Sequence, residues 1–431
     1  MTGHAAGPSG LLTDLYELRM VESYLRAGMT EPATFSLYIR PASQRPWFVA
    51  LGVFRVLELL ETFRYGPGEI DYLRSIGFRE QTLDYLGSLA VDAEVWAVED
   101  GTVVFGDEPI VEITAPLPCA QLLETAVINL VHYPTLIATK AARVANAADG
   151  RPVVDFGFRR AHGLETGVEA ALAAYVGGGL STSNVEAGRR YGLPVVGTMA
   201  HAFVQSHDSE LEAFRAFARD HPGNVTLLVD TYDTLSGVRN AIRVAEEFPV
   251  AAIRLDSGDI AGLARGARAL LDEAGLRDVR IFASGGLDEY DIAALVAGGA
   301  PVDAFGVGTD LVTSGDRPAV DIAYKLVSYA GRPVAKFSTD KASLPGAKQV
   351  FRGEDGDVLG LRDDELPGTP LLRRADASSR FDKDEARARA ATGVAALPAD
   401  MRSVTRSTDP PRPRLSERLA ELARSVTSDR T

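Results

Sequence analysis

The chain has a single cysteine, Cys119, in 431 residues. No internal disulfide can form and no thiolate zinc site can be assembled, which fits a reducing, cytoplasmic setting. Positive charge is also short: 45 Lys and Arg face 59 Asp and Glu, a formal net charge of −14. Such a surface repels a phosphate backbone unless basic groups cluster, so nucleic acid is not the expected partner. No stretch reaches the roughly 18 consecutive apolar residues of a membrane-spanning helix. The opening MTGHAAGPSG has neither the basic start nor the apolar run of a secretory signal. HExxH metal spacing and sequence repeats are absent too. What is present is ordinary for a globular protein: 46% hydrophobic and 24% charged residues, enough for a large core in two or three domains or a decorated barrel.

Along the chain, Leu15, Leu18, Val21, Tyr24 and Leu25 recur at helical spacing behind Thr13 or Asp14 as cap. TFSLYIR, WAVEDGTVVF and EPIVEITAP read as strands, with helices near 50–63 and 80–88, and 120–148 is again helical. From residue 152 short apolar runs recur between Ala-rich stretches: PVVDF, LPVVG, VTLLVD, VAAIRLD, VRIFAS and VDAFGVG. Continuous rather than alternating apolar strands imply burial on both faces, hence a parallel α/β barrel or doubly wound sheet. Beyond about 330, YAGRPVAKFS and KQVFRGEDGDVLGL read as strands, DPPRPR as a connector and LSERLAELARSV as a last helix.

The apolar runs end in DFGFRR, GTMAH, DTYDT, LDSGD, ASGG and GVGT, where a parallel barrel carries its chemistry. Ser284-Gly285-Gly286 and Gly306-Val307-Gly308-Thr309 can form a phosphate cradle, because glycine admits close backbone approach and a following helix adds partial positive charge; tight turns are the plainer reading. In Arg254-Leu255-Asp256-Ser257-Gly258-Asp259 the carboxylates could hold ribose hydroxyls or magnesium, or cap a helix. His201, after an apolar run, could serve as base, nucleophile or metal ligand. His207 supplies no third ligand, and His4, His132, His162 and His221 are taken as structural. Phe156 can stack on a flat ligand, and Arg159 and Arg160 can bind phosphate or carboxylate. Asp230 could fix a histidine tautomer or cap a helix.

LLTDLYELRM, DFGFRRAHG, STSNVEAGRRYGLPVVGTMAHAFVQS, RLDSGD, ASGGL and FGVGTD, in this order and spacing, resemble nicotinate phosphoribosyltransferase. The resemblance runs from about 11 to 330 and less sharply through the tail. It implies an irregular α/β barrel with a second α+β domain formed from the N- and C-terminal parts: 1–135, barrel 136–328, and 329–431. It also implies a homodimer with shared sites that joins nicotinate to 5-phosphoribosyl 1-diphosphate, with magnesium and coupled ATP hydrolysis, on the route from nicotinate to NAD. Carried over position by position, His201 matches the histidine phosphorylated by ATP and Asp230 the carboxylate that orients it. Tyr16 and Phe156 match the aromatic pair around the pyridine ring, Tyr16 reaching a neighbouring subunit. Thr198 and Arg254 match nicotinate contacts. Arg159, Asp256, Gly285, Gly286, Gly308 and Thr309 match positions around the ribose phosphate and diphosphate, and Ser257 joins the substrate-binding set. No protein metal-ligand set is assigned.

Two segments depart from the family pattern. RPASQRPWFVALG stands where many relatives have a glycine-rich aromatic segment, and RRAHG stands for the more familiar RRAQG. Ser181-Thr182-Ser183-Asn184 offers hydroxyls and an amide but no acid, which favours a carboxylated ring over nicotinamide. Nicotinamide phosphoribosyltransferase and a non-catalytic nucleotide-binding barrel are the rival readings; quinolinate phosphoribosyltransferase shares the general architecture, but a decarboxylating site for a diacid should be richer in Arg and Lys and needs no phosphorylatable histidine.

Overall fold

The computed structural model describes residues 9–42, 45–223, 225–337, 342–376, 379–404 and 410–428. His4, residues 43–44 of the departing segment and the first residue of DPPRPR lie outside these. The chain divides into two compact units, one from 1–136, 319–386 and 408–431, the other from 137–318 and 387–407. The division falls after 318 rather than at 328 because strand Ile322–Tyr329 pairs with Pro32–Ile39.

In the first unit a six-stranded sheet runs Arg332–Pro333, Ile322–Tyr329, Pro32–Ile39, Pro109–Pro116, Glu94–Ala97, Arg373–Ala375, antiparallel throughout. Pro32–Ile39 is central and buried on both faces, so the Thr34 and Ser36 that alternate with Phe35 and Leu37 lie inside and not on a solvent face. Phe35 stacks on Tyr324 at 4.8 Å, and the Thr34 and Thr114 hydroxyls meet at 2.9 Å across the ladder. A smaller sheet carries the hairpin Lys348–Gly353 and Gly356–Leu361. Its buried Lys348 ammonium lies 3.2 Å from buried Glu112, which also binds Arg362. Helix Leu15–Arg26 begins after Asp14 and buries Glu17 completely. The Glu17 carboxylate accepts the Thr125 N–H at 3.0 Å, an otherwise unpaired donor at the start of helix Glu124–Ala147. Cys119 is buried, which pushes its thiol up to about 12.

In the second unit six parallel strands form a curled half-barrel in the order Ser181–Thr182, Val153–Asp155, Ala304–Val307, Arg280–Ala283, Val250–Leu255, Val225–Leu228. The α/β expectation, with a second unit built from both chain ends, therefore holds. LPVVG departs from it. In place of a strand there is one bridge, Val195 to Thr182, and the pairing partner is the polar Ser181–Thr182 that the apolar pattern passes over. Helices Leu164–Val176, Thr234–Ala245, Ile260–Glu273 and Glu289–Ala297 follow their strands. The last three are capped by Asp233, Asp259 and Asp288, whose carboxylates accept N–H groups of the first turn. Helix Lys383–Ala396, unforeseen in the sequence, returns to this unit. Its Arg387 donates to the carbonyls of Tyr175 and Gly179. Among the described residues no helix is long and apolar enough to cross a membrane.

Candidate functional site

The strand order fixes which residues meet, because parallel strands deliver their C-terminal ends to one rim. Around that rim stand Asp155-Phe156, Gly308-Thr309, Ser284-Gly285, Asp256 and Asp230, in the spatial order of their strands.

Arg254 organises the middle. Its Nε donates to Ser284 Oγ at 2.8 Å, one terminal nitrogen to Thr198 Oγ1 at 3.2 Å and the other to Asp256 Oδ1 at 2.6 Å. The guanidinium carbon sits 5.2 Å from the Phe156 ring centroid, and Phe156 meets Phe282 edge-on at 5.7 Å. Burial alone would raise the Asp256 carboxyl, but the Ser284 hydroxyl and Arg254 hold it below the usual carboxylate range. It is therefore an anion at neutral pH.

His201 opens the short helix His201–Gln205. Its Nδ1 is 3.2 Å from Thr231 Oγ1, while Nε2 lies 3.9 Å from Asp256 Oδ2. Asp230 is turned elsewhere. Its Oδ2 accepts the Asp256 N–H and the Ser257 hydroxyl, both at 2.9 Å, and its Oδ1 is buried with no partner. The side chain at hydrogen-bond distance from the ring is thus Thr231, not the Asp230 that the resemblance names as its orienting group. Of the two carboxylates in RLDSGD, Asp256 faces the site and Asp259 caps a helix.

Gly285 and Gly286 have φ of +90° and +73°, and a Cβ on Gly285 would lie 1.7 Å from the Asp256 carbonyl oxygen. Among the described residues no protein acceptor takes the N–H of either glycine. The turn leads into helix Glu289–Ala297, whose first N–H groups are already taken by the Asp288 carboxylate, so the donors left for an anion are those of the two glycines. Thr309 accepts a hydrogen bond from Arg160 at 3.2 Å, and its neighbour Arg159 is exposed. Tyr16 belongs to the other unit, on helix Leu15–Arg26, 46% exposed.

Two family models cover the chain. The nicotinate phosphoribosyltransferase N-terminal domain matches residues 11–132, and the quinolinate phosphoribosyl transferase C-terminal domain matches 137–325. A nicotinate phosphoribosyltransferase of Mycobacterium tuberculosis (strain H37Rv) is 47% identical over 411 residues, covering 91% of this chain and 89% of its own. One from Bacillus subtilis is 42% identical, covering 84% and 78%. The chain belongs to the nicotinate phosphoribosyltransferase family. The human nicotinic acid phosphoribosyltransferase structure superposes with a TM-score of 0.83 at 28% identity, covering 96% of this chain and 99% of that one. A nicotinate-nucleotide pyrophosphorylase from Pyrococcus furiosus follows at 0.76 and 26%, covering 92% and 98%.

Within the nicotinate phosphoribosyltransferase motifs, the fold brings together His201, Asp230, Phe156, Thr198, Arg254, Asp256, Ser257, Gly285, Gly286, Gly308 and Thr309 around one rim. Sequence reasoning missed Thr231, Phe282 and Asp155. The Asp155 carboxylate, raised by burial, accepts the Gly157 N–H at 2.8 Å and the Thr182 hydroxyl at 2.7 Å, fixing the turn that presents Phe156. The aspartate ending PVVD was the available signal. Thr231 and Phe282 carry no local signal of their own.

Proposed function

We propose that the chain transfers the phosphoribosyl group of 5-phosphoribosyl 1-diphosphate to nicotinate, giving nicotinate mononucleotide and diphosphate, with ATP hydrolysis coupled through a phosphohistidine at His201. The observation that carries this reading is Arg254 held over the Phe156 ring with Thr198 beside it. Phe156 and the Arg254 guanidinium over it, although the latter already pairs with Asp256, offer an aromatic and cationic surface beside the Thr198 hydroxyl that favours a flat ring bearing a carboxylate over one bearing an amide.

Bond breaking at the anomeric carbon develops positive charge on the ribose as the C–O bond to diphosphate lengthens. The Asp256 carboxylate stands where it can accept the ribose hydroxyls and oppose that charge. Phe156 and Arg254 align the pyridine nitrogen, which attacks without needing deprotonation. Gly285 and Gly286 supply backbone donors to phosphate oxygens. In the tautomer in which Nδ1 donates to Thr231, His201 Nε2 carries the lone pair. It takes the γ-phosphoryl group of ATP, forming an N–P bond as the bond to the ADP oxygen breaks. The phosphorylated ring then places negative charge next to Asp256.

Magnesium fits the residues present. Asp230 Oδ1 is a buried oxygen without a partner next to the Asp256 backbone, a hard donor suited to that ion. Asp230 and Asp256 would hold it. When bound, the ion supplies positive charge to the departing diphosphate. The same reading makes the working form a homodimer, Tyr16 of each copy completing the partner's ring pocket, and its half-exposed side chain is consistent with that. The one buried thiol suits a cytoplasmic enzyme of NAD biosynthesis from nicotinate.

The test is a mass-resolved assay of the purified chain with the ribosyl donor, magnesium and equal nicotinate and nicotinamide, with and without ATP. Nicotinate mononucleotide formed faster with ATP, with matching ADP, supports the reading. Nicotinamide mononucleotide moves it to the sister activity, and no product leaves a non-catalytic nucleotide-binding barrel.

A further inference from the structure

Behind the two glycine turns lies a cluster that the reaction as described does not use. Lys140, on helix Glu124–Ala147, is completely buried, and its ammonium contacts three carboxylates: Glu289, Asp310 and, at 2.9 Å, Asp316. Glu289 is itself fully buried, and its second oxygen accepts from Arg143 Nε at 3.0 Å. Arg143 also reaches the Tyr290 hydroxyl at 3.2 Å. One oxygen from each of the three acids lies within 4.8 Å of the others. Three anions at that spacing repel strongly unless a cation sits among them, and the lysine occupies that place.

The origin of the three acids gives the cluster its meaning. Glu289 is the first residue of the helix entered from Ser284-Gly285-Gly286. Asp310 follows Gly308-Thr309 in the short helix Thr309–Thr313 after the next strand, and Asp316 lies in the turn beyond. One ammonium from a third element therefore ties both turns together from behind. The two turns also have acids within a few residues of where an anion is to be received. Such charge opposes a phosphate group unless it is neutralised.

We propose that Lys140 is a positioning residue for the phosphoribosyl donor: by pairing with Glu289, Asp310 and Asp316 it holds the two glycine turns in mutual register and, together with Arg143, offsets most of the carboxylate charge that would oppose the donor's phosphates. This deepens the proposed transfer reaction and rests on it. Lys140 touches no substrate. Its effect passes through the turns, so it acts on affinity for the phosphorylated substrate and not on the ring.

The test uses the full chain and inorganic diphosphate with magnesium as probe, by calorimetry, alongside the KM of each substrate. K140M is expected to weaken diphosphate binding about tenfold or more and to raise the donor KM, leaving the nicotinate KM within about twofold. K140M/D310N removes one of the stranded acids and should recover part of that loss. K348M removes a buried lysine from the other unit, and should lower the melting temperature while leaving diphosphate binding unchanged. If K140M does not fold, the milder K140Q takes its place, with the same loss of diphosphate affinity expected. Unchanged diphosphate affinity in K140M or K140Q, a parallel rise in both KM values, or no recovery in the double variant would each overturn the assignment. A wild-type chain that binds no diphosphate overturns the transfer reaction itself, and is told apart because the defect then precedes any substitution.

Discussion

At the scale of single residues, the site separates charge handling from ring recognition. His201 stands at the rim with Nδ1 3.2 Å from Thr231 Oγ1 and Nε2 facing Asp256, whereas His207 spends its Nδ1 on the Phe203 carbonyl away from these groups. His201→Ala should therefore abolish the stimulation by ATP and leave a slow ATP-independent transfer, read as nicotinate mononucleotide formed with and without ATP. Stimulation that survives the substitution would remove His201 from the phosphoryl step. Phe156 serves the ring. Its face carries Arg254 and its edge is braced by Phe282, so Phe156→Ala removes both the stacking surface and the support for the guanidinium. Losing an aromatic contact of this kind should raise the nicotinate KM roughly tenfold, with a smaller change for the ribosyl donor. Equal effects in steady-state kinetics would mean a general collapse of the rim.

At the scale of elements, the turns after the strands carry the strain and the function. Gly285 and Gly286 both have positive φ, yet they differ in tolerance. A Cβ at Gly285 would collide with the Asp256 carbonyl, whereas nothing lies within 4 Å of one at Gly286. Gly286→Ala should cost about 1 kcal/mol for the left-handed backbone. Gly285→Ala must also displace the strand end bearing Asp256, and should raise the donor KM sharply. Urea unfolding and donor titration of the two variants separate these outcomes. The same scale shows what the sequence could reveal. Runs such as VAAIRLD and VRIFAS were legible because burial on both faces leaves a continuous apolar signature. LPVVG has that signature without being a strand: only Val195 bridges, and the edge position goes to the polar Ser181–Thr182, too short to show a period. Helix Lys383–Ala396 has no apolar stripe to betray it, its Arg and Ala being spread around the axis. In the site, His201, Arg254 and the glycine turns stood out as residue types at strand ends. The Lys140 cluster did not, since its partners lie 149 and 176 residues away in sequence and are joined only by the fold.

At the scale of the whole molecule, the first unit carries a titratable weak point. Burial pushes the Glu17 carboxyl up to about 7, with hydrogen bonds from Thr125 and Thr13 pulling it down only in part. Because the folded state holds this proton more tightly than the unfolded chain, the group costs nothing below its ordinary value near 4.5. Its penalty grows between about 4.5 and about 7 and is complete above that. The cost is on the order of 3 kcal/mol at most. Chemical unfolding between pH 5 and pH 8 should show the first unit losing stability as pH rises, and Glu17→Gln should flatten the slope. A second whole-chain consequence follows from the central strand of that unit. Pro32–Ile39 pairs on one side with Pro109–Pro116, but its other neighbour is Ile322–Tyr329, so Ile39 waits for Ile322, 322 − 39 = 283 positions later. At about 5–20 residues per second of synthesis, that edge stays open on the ribosome for roughly 15–60 seconds. The nascent polypeptide thus emerges with an apolar β-edge uncovered while the half-barrel strands are being made, and this stretch of translation is when a chaperone would be most needed.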